Sequence, residues 1–265
     1  MSVYSISSGA LLGLLYLEDP GATTFYETVN TPCVVNNRVY VLTALHGKAA
    51  GRLYALDITP SSQPVAVAWS YDFGGPSGAS PTCTTSNTGH TAITFDGENS
   101  NGTTISPAIY TVIDKGTSPS LLWSVKVAGR IVANMPQDRG GIWYFTTPHS
   151  GVTRLSLRNG TVLQQISTKL PTGSNGQVAS AISIGLDAAA NPTMLFGLQG
   201  NPLGTGGSYV ASINAVTGAA NWYLTVNASD SVDRTQGQFA LVRDSAGLPR
   251  IAFTTHNGGL RTAGQ

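Results

Sequence analysis

The feature that most constrains how this chain folds is an internal repeat with a period of roughly fifty residues. Two copies are clear: GRLYALD is followed by AVAWSYD, and SYVASIN is followed by AANWYLTV. In each copy an apolar run ends in Asp57 or Asn214, a turn follows, and a tryptophan lies in the next run. A repeat of this length indicates an array of one supersecondary unit.

Two further copies are weaker. AIYTVIDKGTSPSLLWSV contains Asp114 and Trp123, and VTRLSLRNGTVLQQIS has Leu163 where the other copies have tryptophan. Trp69 and Trp123 are 54 positions apart, and Trp123 and Trp222 are 99 positions apart, which is two periods within a few residues. This spacing suits one four-stranded antiparallel sheet per repeat.

Each repeat divides into four short runs rich in β-branched and aromatic residues. Gly, Pro, Asn and Asp separate the runs, and these are strand and turn signals. The first copy contains TPCVV, RVYVLTA, RLYALDI and AVAWSY, and the third contains IVANM, IWYFTT, VTRLSL and TVLQQI. No segment has a helical pattern of apolar residues. The sequence therefore predicts an all-β fold, a β-propeller of four-stranded antiparallel blades.

The predicted propeller is a single domain with five blades. QFALV and RIAFTTH near the end of the chain resemble the inner two strands of a blade, and GLLYLED and TTFYETV near the start resemble the outer two. N- and C-terminal strands then close one composite blade, which leaves no free sheet edge. The alternative is an open fragment of a larger ring. The blade boundaries are 31–78, 79–128, 129–176, 177–226, and 237–265 together with 1–30.

The segment ASINAVTGAANW, residues 211–222, resembles the A-x-[DN]-x-x-T-G-x-x-x-W turn of pyrroloquinoline-quinone (PQQ) type propellers, with Ala211 out of step by one residue. The resemblance implies that the tryptophan docks between neighbouring blades and that the Asp or Asn holds the turn. Both roles are architectural. The residues to which the repeat assigns them are Trp69, Trp123, Trp222, Asp57, Asp114 and Asn214.

The quinone-dependent alcohol dehydrogenases that this chain resembles have adjacent half-cystines against the cofactor, a calcium site and a catalytic Asp. This chain is far shorter, and its two cysteines, Cys33 and Cys83, are fifty positions apart. PQQ is therefore not predicted as a cofactor, and no catalytic residue is nominated. Two interpretations of the cysteines remain open, namely buried small apolar residues or one disulfide.

Two sets of polar residues are candidates for a ligand or metal site on the rim of the propeller. The first set follows the second strand of each predicted blade and comprises His46, His149, His256 and Asp96. Imidazole and carboxylate groups bind divalent metals and act as acids and bases near neutral pH. The competing interpretation is that they are hydrated turn residues, too far apart for metal bonds of about 2 Å.

The second set consists of oxygen donors that alternate along the loop TFDGENSNG, a pattern that favours calcium. Its members are Asp96, Glu98, Ser100 and Asn101. The competing interpretation is a solvated hairpin loop. The Gly that an EF-hand loop has at its sixth position is absent here, because Asn101 occupies that position.

The charge balance argues against two classes of partner. Lys plus Arg total 14 against 13 Asp plus Glu, and charged residues are 10% of the chain. Such a chain has no electrostatic attraction for nucleic acid or anionic membranes. The start MSVYSISSGALLGLLYLEDP has neither the basic region of a signal peptide nor an apolar run long enough to span a membrane. Abundant Ser, Thr and Asn favour an extracellular or virion surface.

The predicted function is a non-enzymatic binding or structural module in an extracellular, envelope or virion assembly, which contacts a protein partner or further copies of itself through its faces. The predicted inner strands TPCVV, SPTCTT, IVANM, VASAISI and QFALV contain no Asp or Glu. This absence argues against the paired carboxylates of a glycosidase. The crossings between blades, as the longest loops, are the predicted contact segments. They are 72–80, 168–177 and 226–237.

The alternative function is a carbohydrate-active enzyme with carboxylates at the channel mouth, supplied by crossing-loop residues such as Asp72, Asp230 and Asp233. A PQQ-dependent oxidoreductase is less favoured. Three N-x-[ST] triplets begin at Asn101, Asn159 and Asn227. They accept glycans only in a eukaryotic secretory pathway, and such triplets are frequent by chance in a chain rich in Asn and Thr.

Overall fold

The computed structural model divides the chain into two compact units, Met1–Val132 and Ala133–Gln265. The regular structure in the described residues is entirely β-strand. The described residues are 2–4, 7–17, 26–27, 30–45, 51–58, 65–75, 77–85, 89–100, 105–131, 133–146, 151–187, 189–200, 206–227, 235–243, 245–246, 249–255 and 260–264.

The strands of the first unit are β1 (Ser2–Tyr4), β2 (Leu11–Leu14), β3 (Tyr26–Glu27), β4 (Cys33–Val35), β5 (Arg38–Leu45), β6 (Gly51–Ile58), β7 (Val65–Asp72), β8 (Thr82–Thr85), β9 (Thr91–Ser100), β10 (Ile105–Asp114) and β11 (Pro119–Lys126). The strands of the second unit are β12 (Gly141–Tyr144), β13 (Val152–Ser156), β14 (Val162–Ile166), β15 (Gln177–Val178), β16 (Ser183–Leu186), β17 (Pro192–Gln199), β18 (Ser208–Asn214), β19 (Ala220–Asn227), β20 (Thr235–Arg243), β21 (Pro249–Thr255) and β22 (Leu260–Gly264).

The strands β4, β5, β6 and β7 pair antiparallel in chain order and coincide with the four runs predicted for the first repeat. The strand β3 also pairs with β5, opposite Ala44 and Leu45. The prediction that TTFYETV is the outer strand of a composite blade is therefore wrong for Tyr26–Glu27. Because β4 is only three residues long, β5 extends past it and has backbone groups left for β3 to pair with.

The second sheet, β8–β9–β10–β11, confirms the predicted four-stranded antiparallel blade. Its strands β9 and β10 pair without interruption over ten residues. The segment containing Asp96, Glu98 and Ser100 is therefore strand, and its prediction as a loop is wrong. The polar residues and Gly97 favour a turn locally, but the ten-residue ladder with β10 outweighs that preference.

The third sheet, β12–β13–β14, has three strands. The predicted inner strand IVANM is not observed, because residues 133–136 lie outside any strand. Pro136 has no N–H to donate to a ladder. The chain instead runs beside β12 through one isolated bridge, between Gln137 and Ile142. The bridge consists of a 2.9 Å bond from the Trp143 N–H to the Pro136 carbonyl and a 3.0 Å bond from the Asp138 N–H to the Gly141 carbonyl.

In the fourth sheet, β15 and β16 both pair with β17, which continues to β18 and β19. The predicted inner strand VASAISI is thus interrupted between Val178 and Ser183. The Ser180 hydroxyl accepts a 2.7 Å bond from the Gly197 N–H and replaces a ladder bond there. The last sheet contains β20, β21 and β22, one strand more than the two predicted from the C-terminal segment. Closure of a composite blade by both termini stays a prediction.

Apolar side chains fill the space between successive sheets within each unit. In the first unit Leu42, Leu53 and Trp69 of the first sheet pack with Ile93 and Phe95 of the second. In the second unit the third and fourth sheets share a corresponding cluster, which includes Trp143, Val152, Ile166, Met194 and Phe196. Sheets that pack face to face in this way present their turns at fixed positions relative to one another.

Candidate functional site

A buried carboxylate, Asp114, joins the first two sheets. It lies at the end of β10 and is 7% exposed. Its Oδ1 accepts a 2.9 Å bond from the Trp69 indole N–H, and its Oδ2 accepts a 2.6 Å bond from the Tyr40 hydroxyl. Arg38 donates to both oxygens at 3.0 and 2.7 Å. Asp114 also holds its own turn, because Oδ1 accepts a 2.7 Å bond from the Gly116 N–H.

These hydrogen bonds determine the protonation of the cluster. Burial raises the pKa of Asp114, but the bonds from Tyr40 and Arg38 outweigh burial and hold that pKa below its usual value. The pKa of Tyr40 is raised, first by burial and then by its bond to Asp114. The carboxylate is therefore ionised and fully engaged at neutral pH, which suits a structural link and leaves no free base.

The other two turn residues predicted from the repeat lie in more exposed positions. Asp57, whose side chain is 42% exposed, accepts a 2.7 Å bond from the Arg38 guanidinium at the edge of the Asp114 cluster. Asn214 accepts 2.9 Å bonds from the N–H groups of Val216 and Thr217 and so holds the turn between β18 and β19. Such side-chain to backbone bonds are the ordinary role of Asp and Asn in turns.

The pairing register contains a β-bulge at the same place in four sheets. In each outer strand one residue is left without a partner on the neighbouring strand, directly before the residue at the tryptophan position. The residue at the tryptophan position in the third sheet is therefore Gln164, and its prediction as Leu163 is wrong by the one residue of the bulge. The four bulged residues are Ala68, Leu122, Leu163 and Asn221.

Gln164 makes the same kind of link as Trp69. Its side-chain amide donates a 2.9 Å bond to the Val216 carbonyl, in the turn of the following sheet. Trp69 likewise donates to the turn aspartate of the sheet that follows its own. Of the remaining tryptophans, Trp123 is buried and Trp222 packs against the core of the C-terminal sheet with Phe239. In the first and third sheets, the position after the bulge thus carries the side chain that docks the sheet on the next one.

Asp138 is a structural residue that sequence reasoning missed. Its carboxylate accepts 2.8 Å bonds from the Trp143 indole N–H and from Arg154 Nε, and a 2.5 Å bond from Arg154 Nη2. It also accepts a 3.0 Å bond from the Gly141 N–H. The available signal was the turn QDRGG, in which an aspartate before two glycines is typical of a carboxylate bonded to its own backbone.

Asp96 is the most deeply buried carboxylate in the described residues, with 4% exposure. It holds the crossing loop that enters the second sheet. Oδ1 accepts bonds from the Ser77 hydroxyl at 2.5 Å and the Ala79 N–H at 3.0 Å, and Oδ2 accepts a 3.0 Å bond from the Gly78 N–H. Burial raises the pKa of Asp96 to about 6, against the opposing effect of these bonds. Its oxygens are thus committed to the loop.

The rest of the two predicted rim sets falls largely outside the described residues. His46, His149, His256 and Asn101 lie there. Glu98 and Ser100 lie on β9 with Asp96. Within the part of the chain that the structure describes, no three His, Cys, Asp or Glu residues come together as metal ligands. Calcium at this rim stays a prediction.

The predicted carboxylates for glycoside hydrolysis are similarly divided. Asp72, at the end of β7, forms an ion pair with Arg52 and has a side chain that is 70% exposed. Asp230 and Asp233 lie outside the described residues. The structure therefore places one member of this set, and it is engaged by a cation.

Cys33 and Cys83 form a disulfide between β4 of the first sheet and β8 of the second, with Cα atoms 6.1 Å apart. Of the two interpretations that the sequence left open, the structure has the disulfide. The adjacent half-cystines that the resemblance associates with a quinone are not present in this sequence.

Replacing Asp96 with asparagine is expected to remove one component of the pH dependence of stability. The pKa of Asp96 is about 6 in the folded protein against 3.8 in the unfolded chain, so the folded state holds this proton more tightly. Stability from this group is complete below the unfolded pKa and is lost as pH rises from about 4 to 6, by about 3 kcal/mol. Asn cannot ionise. The measurement is urea unfolding of both proteins at a series of pH values.

The difference between the two stability curves isolates Asp96, because other groups such as Asp114 contribute equally to both. We expect the wild-type stability to fall relative to Asp96→Asn over that pH range and to stay parallel above it. Curves that are parallel throughout would contradict the raised pKa.

Antiparallel sheets that pack face to face, with Trp69 of the first sheet and Gln164 of the third each bonded to the turn of the sheet that follows, are features of a propeller-type architecture. No protein-family model matches the chain, and no curated protein matches it. Several solved structures are similar to this chain. A europium-containing methanol dehydrogenase is 16% identical with a TM-score of 0.60, over 92% of this chain and 51% of that one. BamB from Moraxella catarrhalis is 12% identical with a TM-score of 0.54, over 92% and 60%.

A quinohemoprotein alcohol dehydrogenase from Comamonas testosteroni is 14% identical with a TM-score of 0.55, over 90% of this chain and 41% of that one. This chain thus spans less than two thirds of each of these proteins. At such identities the likeness shows the fold alone, and the predicted all-β propeller of antiparallel sheets is confirmed, whereas the number of blades stays a prediction. Proteins of this fold differ in function, so function must be argued from the site. No helix in the described residues could span a membrane.

Proposed function

We propose that this chain is a non-enzymatic propeller module that binds a protein partner, or assembles with copies of itself, through its loop-covered faces in an extracellular, envelope or virion assembly. The proposal is supported by how the acidic groups are used. Asp57, Asp114 and Asp138 each bond to an arginine, and Asp96 bonds to a backbone loop. These carboxylates build the scaffold, and a rigid scaffold can present loops without reorganising.

The observation that carries the proposal is the crossing loop between Thr168 and Gly176. The Gly176 N–H donates a 3.0 Å bond to the Thr168 carbonyl, and the Thr168 hydroxyl donates back to the Gly176 carbonyl. Leu170 is buried in the core as an anchor, while the tip, residues 171–175, is exposed. The Tyr223 hydroxyl donates a 3.0 Å bond to the Lys169 carbonyl and fixes the loop to β19.

A closed loop of this kind suits recognition. Its backbone order is already established before binding, so a partner would not have to offset the entropy of ordering it. The tip is polar and its ends are fixed, and these properties favour a specific protein contact over a catalytic lid. The disulfide between Cys33 and Cys83 supports an oxidising location, because such bonds persist outside the reducing cytosol.

The proposal is tested by the Thr172→Glu variant, which places a charge on the exposed tip. We expect the molar mass of the assembled protein, measured by light scattering over a range of concentrations, to fall toward that of the monomer, because an uncompensated charge is costly to bury in an interface. The matched control is Gln165→Glu, which adds the same charge at an exposed position on β14, outside the loop. Its mass should equal that of the wild type.

A wild-type protein that remains a monomer at every concentration and hydrolyses a glycan would contradict the proposal. Equal losses of assembly in the two variants would contradict the assignment of the contact to the crossing loop.

A further inference from the structure

One of the N-x-[ST] triplets lies in a turn that is suited to modification. Asn159, Gly160 and Thr161 connect β13 to β14, and Asn159 and Thr161 are both exposed. The Asn159 side-chain carbonyl accepts a 3.2 Å bond from the Thr161 N–H and a 2.9 Å bond from the Thr161 hydroxyl. The same turn is closed by a 2.9 Å bond from the Gly160 N–H to the Ser156 carbonyl.

These contacts leave the reactive atom of Asn159 available. Both hydrogen bonds go to the amide oxygen, Oδ1, so the amide nitrogen, Nδ2, points away from the groups that fix the side chain. One of the two donors is the hydroxyl of the residue at the third position of the triplet. The turn thus combines exposure with a fixed side chain whose amide nitrogen takes part in neither bond.

The other two triplets differ in their surroundings. Asn227 is the last residue of β19, where it pairs with Ser208 and is half-buried. Asn101 lies outside the described residues. Asn227 therefore serves as an internal comparison, because it begins the same kind of triplet but lies at the end of a strand instead of in an exposed turn.

We propose that Asn159 is an acceptor for an N-linked glycan. The Asn159 Nδ2 attacks the anomeric carbon of a sugar carried on a lipid-linked diphosphate, forming the C–N bond. The bond between the anomeric carbon and the diphosphate oxygen breaks, the diphosphate leaves with the electron pair, and a proton is lost from Nδ2. This inference rests on the extracellular location in the proposed function, since N-linked transfer of this kind occurs in a secretory pathway.

The site is also compatible with the fold. A glycan is bulky and hydrated, so it must project from the surface. The neighbouring positions Arg158 and Val162 are exposed, and the turn lies at the opposite end of β14 from the crossing loop between Thr168 and Gly176. A glycan on Asn159 therefore leaves the proposed contact loop uncovered.

The test is to secrete the full chain from a eukaryotic cell and map its glycans by peptide mass spectrometry, before and after an amidase that removes N-linked glycans and leaves Asp. We expect a glycan at position 159, and its loss in the variants Asn159→Gln and Thr161→Val. Thr161→Val keeps the shape of the side chain and removes only the hydroxyl. Thr161→Ser, which keeps the hydroxyl, should retain the glycan.

Each outcome bears on the inference. A secreted, disulfide-bonded protein without a glycan at Asn159 would overturn it while the extracellular location stands. A glycan that persists in Thr161→Val would overturn the role of the hydroxyl. A chain that is secreted only with both cysteines reduced would instead contradict the oxidising location on which the proposed function relies. The assembly measured with the Thr172→Glu variant is independent of all three results.

Discussion

Replacing Asp114 with alanine is expected to lower the free energy of unfolding by about 4 kcal/mol. The variant removes the acceptor for the Trp69 indole and the Tyr40 hydroxyl, both in the core between the sheets. The substitution also removes one of the two carboxylates that form ion pairs with Arg38, and Asp114 is more deeply buried than the other one, Asp57. Urea unfolding of the wild type and the variant at neutral pH measures the difference.

Asp57→Ala is the matched control for Asp114→Ala. Asp57 bonds to the same arginine, but its side chain is 42% exposed against 6% for Asp114. Water therefore replaces much of what the Asp57 carboxylate provides, and we expect a loss below about 1 kcal/mol. Comparable losses of stability in the two variants would show that Asp114 stabilises the protein mainly through its ion pair with Arg38. The hydrogen bonds from Trp69 and Tyr40 would then contribute little.

The strands that could be predicted from the sequence are those whose limits are set by local chemistry. The first sheet is an example, because Asn36 and Asn37 form a tight turn between β4 and β5, with Asn36 at a φ of 54° that few residues other than Asn and Gly adopt readily. The alternation of apolar residues along the neighbouring runs completes the pattern. Periodicity and turn residues are properties of a short segment, and they can be recognised without knowing what the segment pairs with.

The errors have the opposite origin. The repeat predicts Leu163 as the residue that docks the third sheet, which is one position too early. The docking residue is Gln164, because a bulge in the pairing of β14 with β13 shifts the register by one residue. The sequence of β14 alone does not reveal this bulge. Asp96 was predicted in a loop because the segment around it is polar and contains Gly97. Its place in a strand depends on the ten-residue ladder with β10, which is a tertiary fact.

The candidate site could be predicted only in part for the same reason. The turn role of Asp114 is local and follows from the repeat, whereas its bonds to Tyr40 and Trp69 join residues that are 74 and 45 positions apart. No single-segment pattern reports such a contact. The role of Asp138 likewise depends on Arg154, which reaches it from the neighbouring strand.

Removing the disulfide is expected to have the second largest effect on stability. Cys33 and Cys83 are separated by 50 positions, and closing a loop of this length in the unfolded chain contributes about 3 to 4 kcal/mol through the lost chain entropy. The variant that carries both Cys33→Ala and Cys83→Ala should therefore unfold at a lower urea concentration than the oxidised wild type. It leaves no free thiol that could form other disulfides.

Reduction of the wild-type protein is the control that separates the crosslink from the packing of the two side chains. Both cysteines also pack against the apolar cluster between the first two sheets, so the double alanine variant loses a small amount of packing as well. The reduced wild type should lose most of the same free energy, and addition of a reductant should leave the unfolding of the double variant unchanged. If reduction leaves the wild-type stability unaltered, the covalent link between β4 and β8 does not constrain the unfolded chain. The disulfide then no longer supports an oxidising location for the protein.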